Sequence, residues 1–203
     1  LMVARGDLGI EVPFEQLPVI QRRAVEACLT LGKPVIIATH VLESMIQSPM
    51  PTRAEITDAA NAVSEQADCI MLSGETTIGS HPVECVRVLN RIIGRTEETL
   101  PPGRNKRMRL ATPKAKLMRS AAVLAEELDG AAIVLFTRQG LLPQTLSTLR
   151  PVGCRIYAFT EDETVFRQML LVWGIEPFLM KFGNDSEATI QAAVGELVRT
   201  GWC

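Results

Sequence analysis

The sequence predicts an α/β fold built as two successive modules, and three observations carry that expectation. Apolar strands alternate with amphipathic helices along the chain. Strands such as Val35-Ile36-Ile37-Ala38 show no polar alternation, as strands of a parallel sheet buried on both faces should read. Near the middle, breakers and cations interrupt the pattern at Pro101-Pro102-Gly103-Arg104-Asn105-Lys106-Arg107-Met108-Arg109, which reads as a boundary. With 203 residues, 47% of them hydrophobic, the chain can bury one sizeable core or two small ones.

The first module begins with Leu1 to Ala4, an apolar run that stops at Arg5-Gly6-Asp7-Leu8-Gly9. This is the profile of a buried strand opening into a turn. Gly6 and Gly9 permit positive φ or close approach, and Asp7 stands at the strand's carboxyl end, where α/β proteins collect their chemistry. Pro13 to Leu31 is expected as a helix, with Leu17, Ile20, Ala24, Cys28 and Leu31 at spacings of three or four and Gly32 ending it. The second strand, Val35 to Ala38, ends on Thr39-His40, and a short apolar helix follows at Val41 to Ile46. Thr52 and Glu55 form a capping box for a helix running to about Ser64. Ala67 to Leu72 is the third strand, closing on Ser73-Gly74-Glu75-Thr76, and Pro82 opens the next helix. Three strand-helix units argue a parallel sheet with right-handed crossovers, although three cannot close a barrel.

The second module is expected to run from a helix at Pro113 to about Leu128 into a strand at Ala131 to Phe136. Thr137-Arg138-Gln139-Gly140 then leads into a helix. Strand Cys154 to Phe159, a helix at Asp162 to Leu171, a strand at Ile175 to Met180 and a helix at Ser186 to Arg199 complete it.

The formal charge of −2 and the lack of any long Lys/Arg run give no footprint for nucleic acid or an acidic membrane. The five scattered cysteines fit neither a zinc site nor a disulfide framework and read as core-filling thiols in a reducing, intracellular compartment. No apolar run approaches the roughly 20 residues of a membrane span. The chain starts inside a strand and stops at Gly201-Trp202-Cys203 without a polar tail, so it is expected to be a piece of something longer.

Four blocks share an order and spacing with a known family: Arg5-Gly6-Asp7-Leu8-Gly9, Ala38-Thr39-His40-Val41-Leu42-Glu43-Ser44-Met45, Pro51-Thr52-Arg53-Ala54-Glu55 and Met71-Leu72-Ser73-Gly74-Glu75-Thr76. Together they resemble pyruvate kinase, densely to about Glu98 and more thinly to Trp202. The resemblance implies that residues 1–98 are the last three strand-helix units of a (β/α)8 TIM barrel. It makes 99–112 a linker and 113–203 most of a separate three-layer α/β regulatory domain. It further implies transfer of phosphate from phosphoenolpyruvate to ADP, a divalent Mg2+ or Mn2+ ion, K+, a homotetramer and a cytoplasmic location.

For the residues, the resemblance implies that Asp7 binds the divalent ion with a Glu absent from this chain, a hard cation wanting carboxylate and substrate oxygens together. It places the substrate carboxylate on the backbone N–H groups of Gly6 and Asp7, with Thr39 adding a hydroxyl. Thr39 and Ser73 lie near the network that protonates the enolate, and a phosphoryl-stabilising Lys is missing here. Arg5, Arg53 and Glu75 match positions of structural or subunit-contact type. His40 and His81 are read as lying outside the acid-base chemistry, since members vary at both. The family commonly follows its Ser-Gly-Glu-Thr block with Ala, a variable residue and Gly, where this chain has Thr77-Ile78-Gly79-Ser80-His81. In members controlled by sugar phosphates, a Thr/Ser-rich loop holds the effector. Here Thr137, Arg138 and Gly140 remain as a candidate effector loop, while Gln139, Leu141 and Leu142 remove hydroxyls. Two competing readings are a metal-dependent barrel aldolase or lyase, with Asp7 on a cation and Thr39 and Ser73 on a carboxylate, and a non-catalytic regulatory or assembly module.

Overall fold

The computed structural model describes residues 1–100, 105 and 107–202. Most of the breaker and cation run, residues 101–104 and 106, and Cys203 lie outside the described residues. The chain divides into two compact units, Leu1–Arg109 and Leu110–Cys203.

In the first unit, β1 (Met2–Ala4) leads directly into a short helix, α1 (Arg5–Glu11). The turn expected at the Gly-Asp segment is therefore a helical one, and neither Gly6 nor Gly9 has positive φ. The glycine at position 6 answers to close approach instead: a Cβ there would lie 3.3 Å from His40 Cε1 and 3.5 Å from Thr39 Oγ1. The long helix α2 (Leu17–Leu31) starts four residues later than Pro13. Pro18 lacks an N–H and belongs in a helix's first turn, so Pro13 is left extended before a single 3-10 turn at Phe14–Gln16. Gly32, at φ 65°, ends α2 in the left-handed conformation that a helix terminator needs.

Strand β2 (Ile36–Ala38) is followed by a 3-10 turn at Glu43–Ile46 and by α3 (Arg53–Ser64). Strand β3 (Cys69–Met71), the one-turn α4 (Gly74–Thr77) and α5 (Pro82–Thr99) complete the unit. The sheet is parallel in the order β1-β2-β3, pairing Val3 with Ile37 and Ile37 with Ile70. Val3, Val35 and Ile37 pack with Val25, Cys28, Leu29 and Ala62 in one buried cluster. Val41, Leu42, Met45, Ala59, Cys85, Val88 and Leu89 form a second. Cys28 and Cys85 are thus core residues, and burial raises both thiols above their ordinary range.

The second unit has α6 (Pro113–Glu126), β4 (Ala132–Phe136), α7 (Leu141–Thr148), β5 (Arg155–Thr160), α8 (Glu163–Met169), β6 (Ile175–Leu179) and α9 (Ser186–Arg199). Its sheet is also parallel, in the order β4-β5-β6. Tyr157, Phe159, Ala193 and Leu197 are buried at its centre against Val134, Phe136, Phe178, Met180 and Phe182. No helix among the described residues is long and apolar enough to cross a membrane.

Candidate active site

Because the first sheet is parallel, its three strands present their carboxyl ends together, and the polar residues at those ends are cross-linked by side chains. Thr39 and His40 leave β2 with φ of 68° and 54°, left-handed values that branched and bulky side chains rarely adopt. Such strain costs on the order of 1–3 kcal/mol per residue and persists only where surroundings enforce it. Arg5 does so. Its Nε and Nη2 donate to the Thr39 carbonyl at 3.1 and 2.7 Å, and Nη2 also donates to the His40 carbonyl at 3.1 Å. Asp58 on α3 takes Nη1 with both carboxylate oxygens at 2.7 Å, which fixes the fork.

The Thr39 hydroxyl closes the circle. Oγ1 accepts the Gly6 N–H at 2.8 Å and donates to the Ala38 carbonyl at 2.7 Å. Gly6 and Thr39 are thus in direct contact across two strand ends. Asp7, in the first turn of α1, is exposed, and its side chain makes no hydrogen bond or ion pair among the described residues.

At the end of β3, Glu75 is only 2% exposed. Its carboxyl group accepts the Leu42 N–H at 3.1 Å and the Ser73 N–H at 2.7 Å, tying the loop after β2 to the loop after β3. Gly79 is needed beneath it, because a Cβ there would collide with the Glu75 carbonyl. The Ser73 hydroxyl is buried and has no hydrogen-bond partner among the described residues, a costly condition for a polar atom. Glu75 thus links Ser73 to Leu42, three residues beyond Thr39, and no hydrogen bond joins Ser73 to Thr39 itself among the described residues.

Glu55 has two duties. It completes the expected capping box with Thr52, accepting Thr52 N at 2.7 Å and Thr52 Oγ1 at 2.8 Å. It also holds Ser44 N at 2.7 Å and Ser44 Oγ at 2.6 Å. Burial works to raise its carboxyl, but these four donated bonds outweigh that and hold it below the usual range. Arg53 is exposed and its side chain pairs with nothing among the described residues. His81 is the N-cap of α5 without a side-chain capping bond.

In the second unit, Thr137 Oγ1 accepts the Gly140 N–H at 2.9 Å, Gly140 is left-handed at φ 71°, and Arg138 pairs with Glu161 at 3.5 Å. Thr137 and Gly140 are thus engaged with one another, and Arg138 with Glu161 just after β5.

Among the described residues no three Asp, Glu, His or Cys side chains gather as a metal cage. One exposed, unengaged carboxylate at Asp7 fits the part of a single ligand to a hard cation, with other oxygens completing the shell.

The model of the pyruvate kinase barrel domain matches residues 1–86, and that of the pyruvate kinase alpha/beta domain matches residues 115–203. This chain belongs to the pyruvate kinase family. It is 43% identical to the pyruvate kinase of Geobacillus stearothermophilus over 206 residues, with 99% of this chain and 35% of that protein covered. Plastidial pyruvate kinase 2 of Arabidopsis thaliana is 40% identical over 203 residues, covering 98% of this chain and 35% of that protein. A crystal structure of a pyruvate kinase from Cryptosporidium parvum superposes with a TM-score of 0.89 at 33% identity, over 100% of this chain and 42% of that one. The chain spans about a third of the length of these curated relatives. The two parallel sheets with their helices are therefore parts of a pyruvate kinase barrel domain and of the family's alpha/beta domain.

Proposed function

We propose that this chain serves a pyruvate kinase, which moves the phosphoryl group of phosphoenolpyruvate to ADP and leaves pyruvate and ATP. Residues 1–98 would be its share of the catalytic barrel, 99–112 a linker and 113–203 a regulatory domain, in a cytoplasmic homotetramer. The observation that carries the reading is the unengaged Asp7 carboxylate beside the Gly6–Thr39 bond, at the carboxyl end of a parallel sheet. Asp7 would be one ligand of a divalent Mg2+ or Mn2+ ion, which when bound neutralises charge on the transferring phosphoryl group, with K+ as the monovalent ion.

In this reading the turn at Gly6 and Asp7 receives the substrate carboxylate. The Gly6 N–H is already given to Thr39, so an incoming carboxylate competes with, or is relayed through, that hydroxyl. As the phosphorus–oxygen bond of phosphoenolpyruvate breaks, the enolate left behind needs a proton on carbon. Ser73, whose hydroxyl is buried without a partner among the described residues, can both donate and accept in the chain that delivers it, with Thr39 orienting the substrate. In the second unit, Thr137, Arg138 and Gly140 would hold at most a monophosphate, because Gln139, Leu141 and Leu142 offer no hydroxyl. Strong activation by fructose 1,6-bisphosphate is not expected, and calorimetric titration of the full-length protein checks it.

A coupled assay on the full-length protein tests the main reading: pyruvate and ATP should form together, and only with ADP. Metal-dependent pyruvate release without ADP would instead identify a lyase. Asp7→Asn should lower turnover on the order of a hundredfold or more and weaken divalent binding, since a neutral amide cannot offset the ion's charge. Thr39→Val should raise the substrate requirement and slow solvent-isotope entry into pyruvate.

A further inference from the structure

We propose that His40 is a substrate-contacting residue of this site, its imidazole donating a hydrogen bond to the anionic substrate held at the Gly6 turn. This rests on the substrate reading given above. The ring is placed by an enforced backbone: His40 has φ 54°, and Arg5 Nη2 grips its carbonyl at 3.1 Å. A left-handed histidine directs its side chain where a right-handed one could not, and here that direction is toward Gly6. A Cβ added to Gly6 would meet His40 Cε1 at 3.3 Å and Nε2 at 3.8 Å. The ring edge carrying Nε2 therefore lies over the bare Cα of the residue whose N–H bonds Thr39.

The imidazole is otherwise unoccupied. It is exposed, and it takes part in no hydrogen bond or ion pair among the described residues. The nearest cation in the network, Arg5, is committed to two carbonyls and to Asp58 and cannot turn to a ligand. His40 is thus the side chain that can offer an N–H to an anion at this turn without breaking an existing bond. Two successive strained residues are explained by two tasks: Thr39 is turned to bond Gly6, and His40 is turned to cover it. The role is binding rather than proton transfer, so the effect belongs in substrate affinity.

The test uses the full-length protein with its divalent ion and phosphoenolpyruvate as the probe. His40→Asn is the informative variant, because asparagine tolerates the left-handed backbone while losing the ring's reach. It should raise the KM for phosphoenolpyruvate by about tenfold, the factor that corresponds to ~1.4 kcal/mol, and lower kcat far less. Independently of any variant, the His40 ring resonances of the unmodified protein should shift saturably as phosphoenolpyruvate is added, with the midpoint seen by calorimetry. Calorimetric binding with unmoved His40 resonances would overturn the inference and leave the substrate reading standing, as would an unchanged KM in His40→Asn. If phosphoenolpyruvate gives no heat and no shift, the substrate reading falls and this inference falls with it.

Discussion

The two units share a three-stranded parallel sheet and differ in what holds it. The first unit has an aliphatic core without a single buried aromatic, its one phenylalanine, Phe14, being 80% exposed. Order at its strand ends comes from charge: Arg5 with Asp58, Glu75 across two loops, and Glu55 between Ser44 and Thr52. The second unit is held by rings. Phe159 stacks with Phe136 and Phe178 at centroid distances of 5.6 and 4.9 Å, and Tyr157 meets Phe178 and Trp202 edge-on at 6.1 Å. Aromatic packing is tolerant of small shifts, whereas a forked hydrogen bond is not. Geometry is therefore most tightly specified where catalysis is proposed.

That contrast can be broken at its strongest point. Glu75→Ala strands two backbone N–H groups in a buried place and should destabilise the first unit by about 3 kcal/mol or more, seen as a lower urea midpoint. Turnover should fall with it. Arg5→Lys is the next largest change, since an ammonium cannot grip two carbonyls and a carboxylate at once. We expect turnover to drop roughly thirtyfold, or about 2 kcal/mol, with little loss of fold. A double-mutant cycle of Arg5→Lys with Asp58→Asn should show coupling of about 1 kcal/mol, a modest figure because Asp58 is 36% exposed.

The aromatic side of the comparison is sharpened by Tyr157→Phe. It keeps the ring and removes only the bond from its hydroxyl to the Trp202 carbonyl, 2.7 Å long. Stability should fall by about 1 kcal/mol with the kinetic constants unmoved; a change in kcat would mean that the two units do not divide the labour this way. The smallest effect is in pH. The folded Glu55 carboxyl is held below its unfolded value of about 4.3, so its contribution is present above that pH and is lost as pH falls through the folded value. Urea unfolding of Glu55→Gln against the unmodified protein between pH 3 and 7 should show curves that converge at the acid end.

Much of this architecture was legible in the sequence because local chemistry and tertiary structure agree. Unalternated Val35 to Ala38 is a central strand, Thr52 and Glu55 do make a capping box, and Ser186–Arg199 is the helix its periodicity predicts. Gly6 and Gly9 misled, because glycine reads as a breaker even inside a helical turn, where Gly6 answers to clearance and a side chain at Gly9 would meet Leu17 at ordinary contact distance. Of the site, the polar residues ending three strands were visible one by one. What joins them was not: Arg5 and Asp58 are 53 residues apart, and Leu42 meets Glu75 across 33. Nor does any residue type announce left-handed backbone at Thr39 and His40, since the bonds that hold it come from the distant Arg5 and Gly6. The second bond set of Glu55, to Ser44, was masked by its obvious local partner Thr52.

The Arg5 fork has a consequence for anyone wishing to transplant this turn into another scaffold. The portable unit is not the Gly-Asp pair. It must carry Arg5 and Gly6 from one strand end, Thr39 and His40 from the next, and Asp58 from the helix behind, since omitting any one frees the others to relax. By the same reasoning, lineages that change one of these five positions should change a second, and the substitutions should arrive as sets.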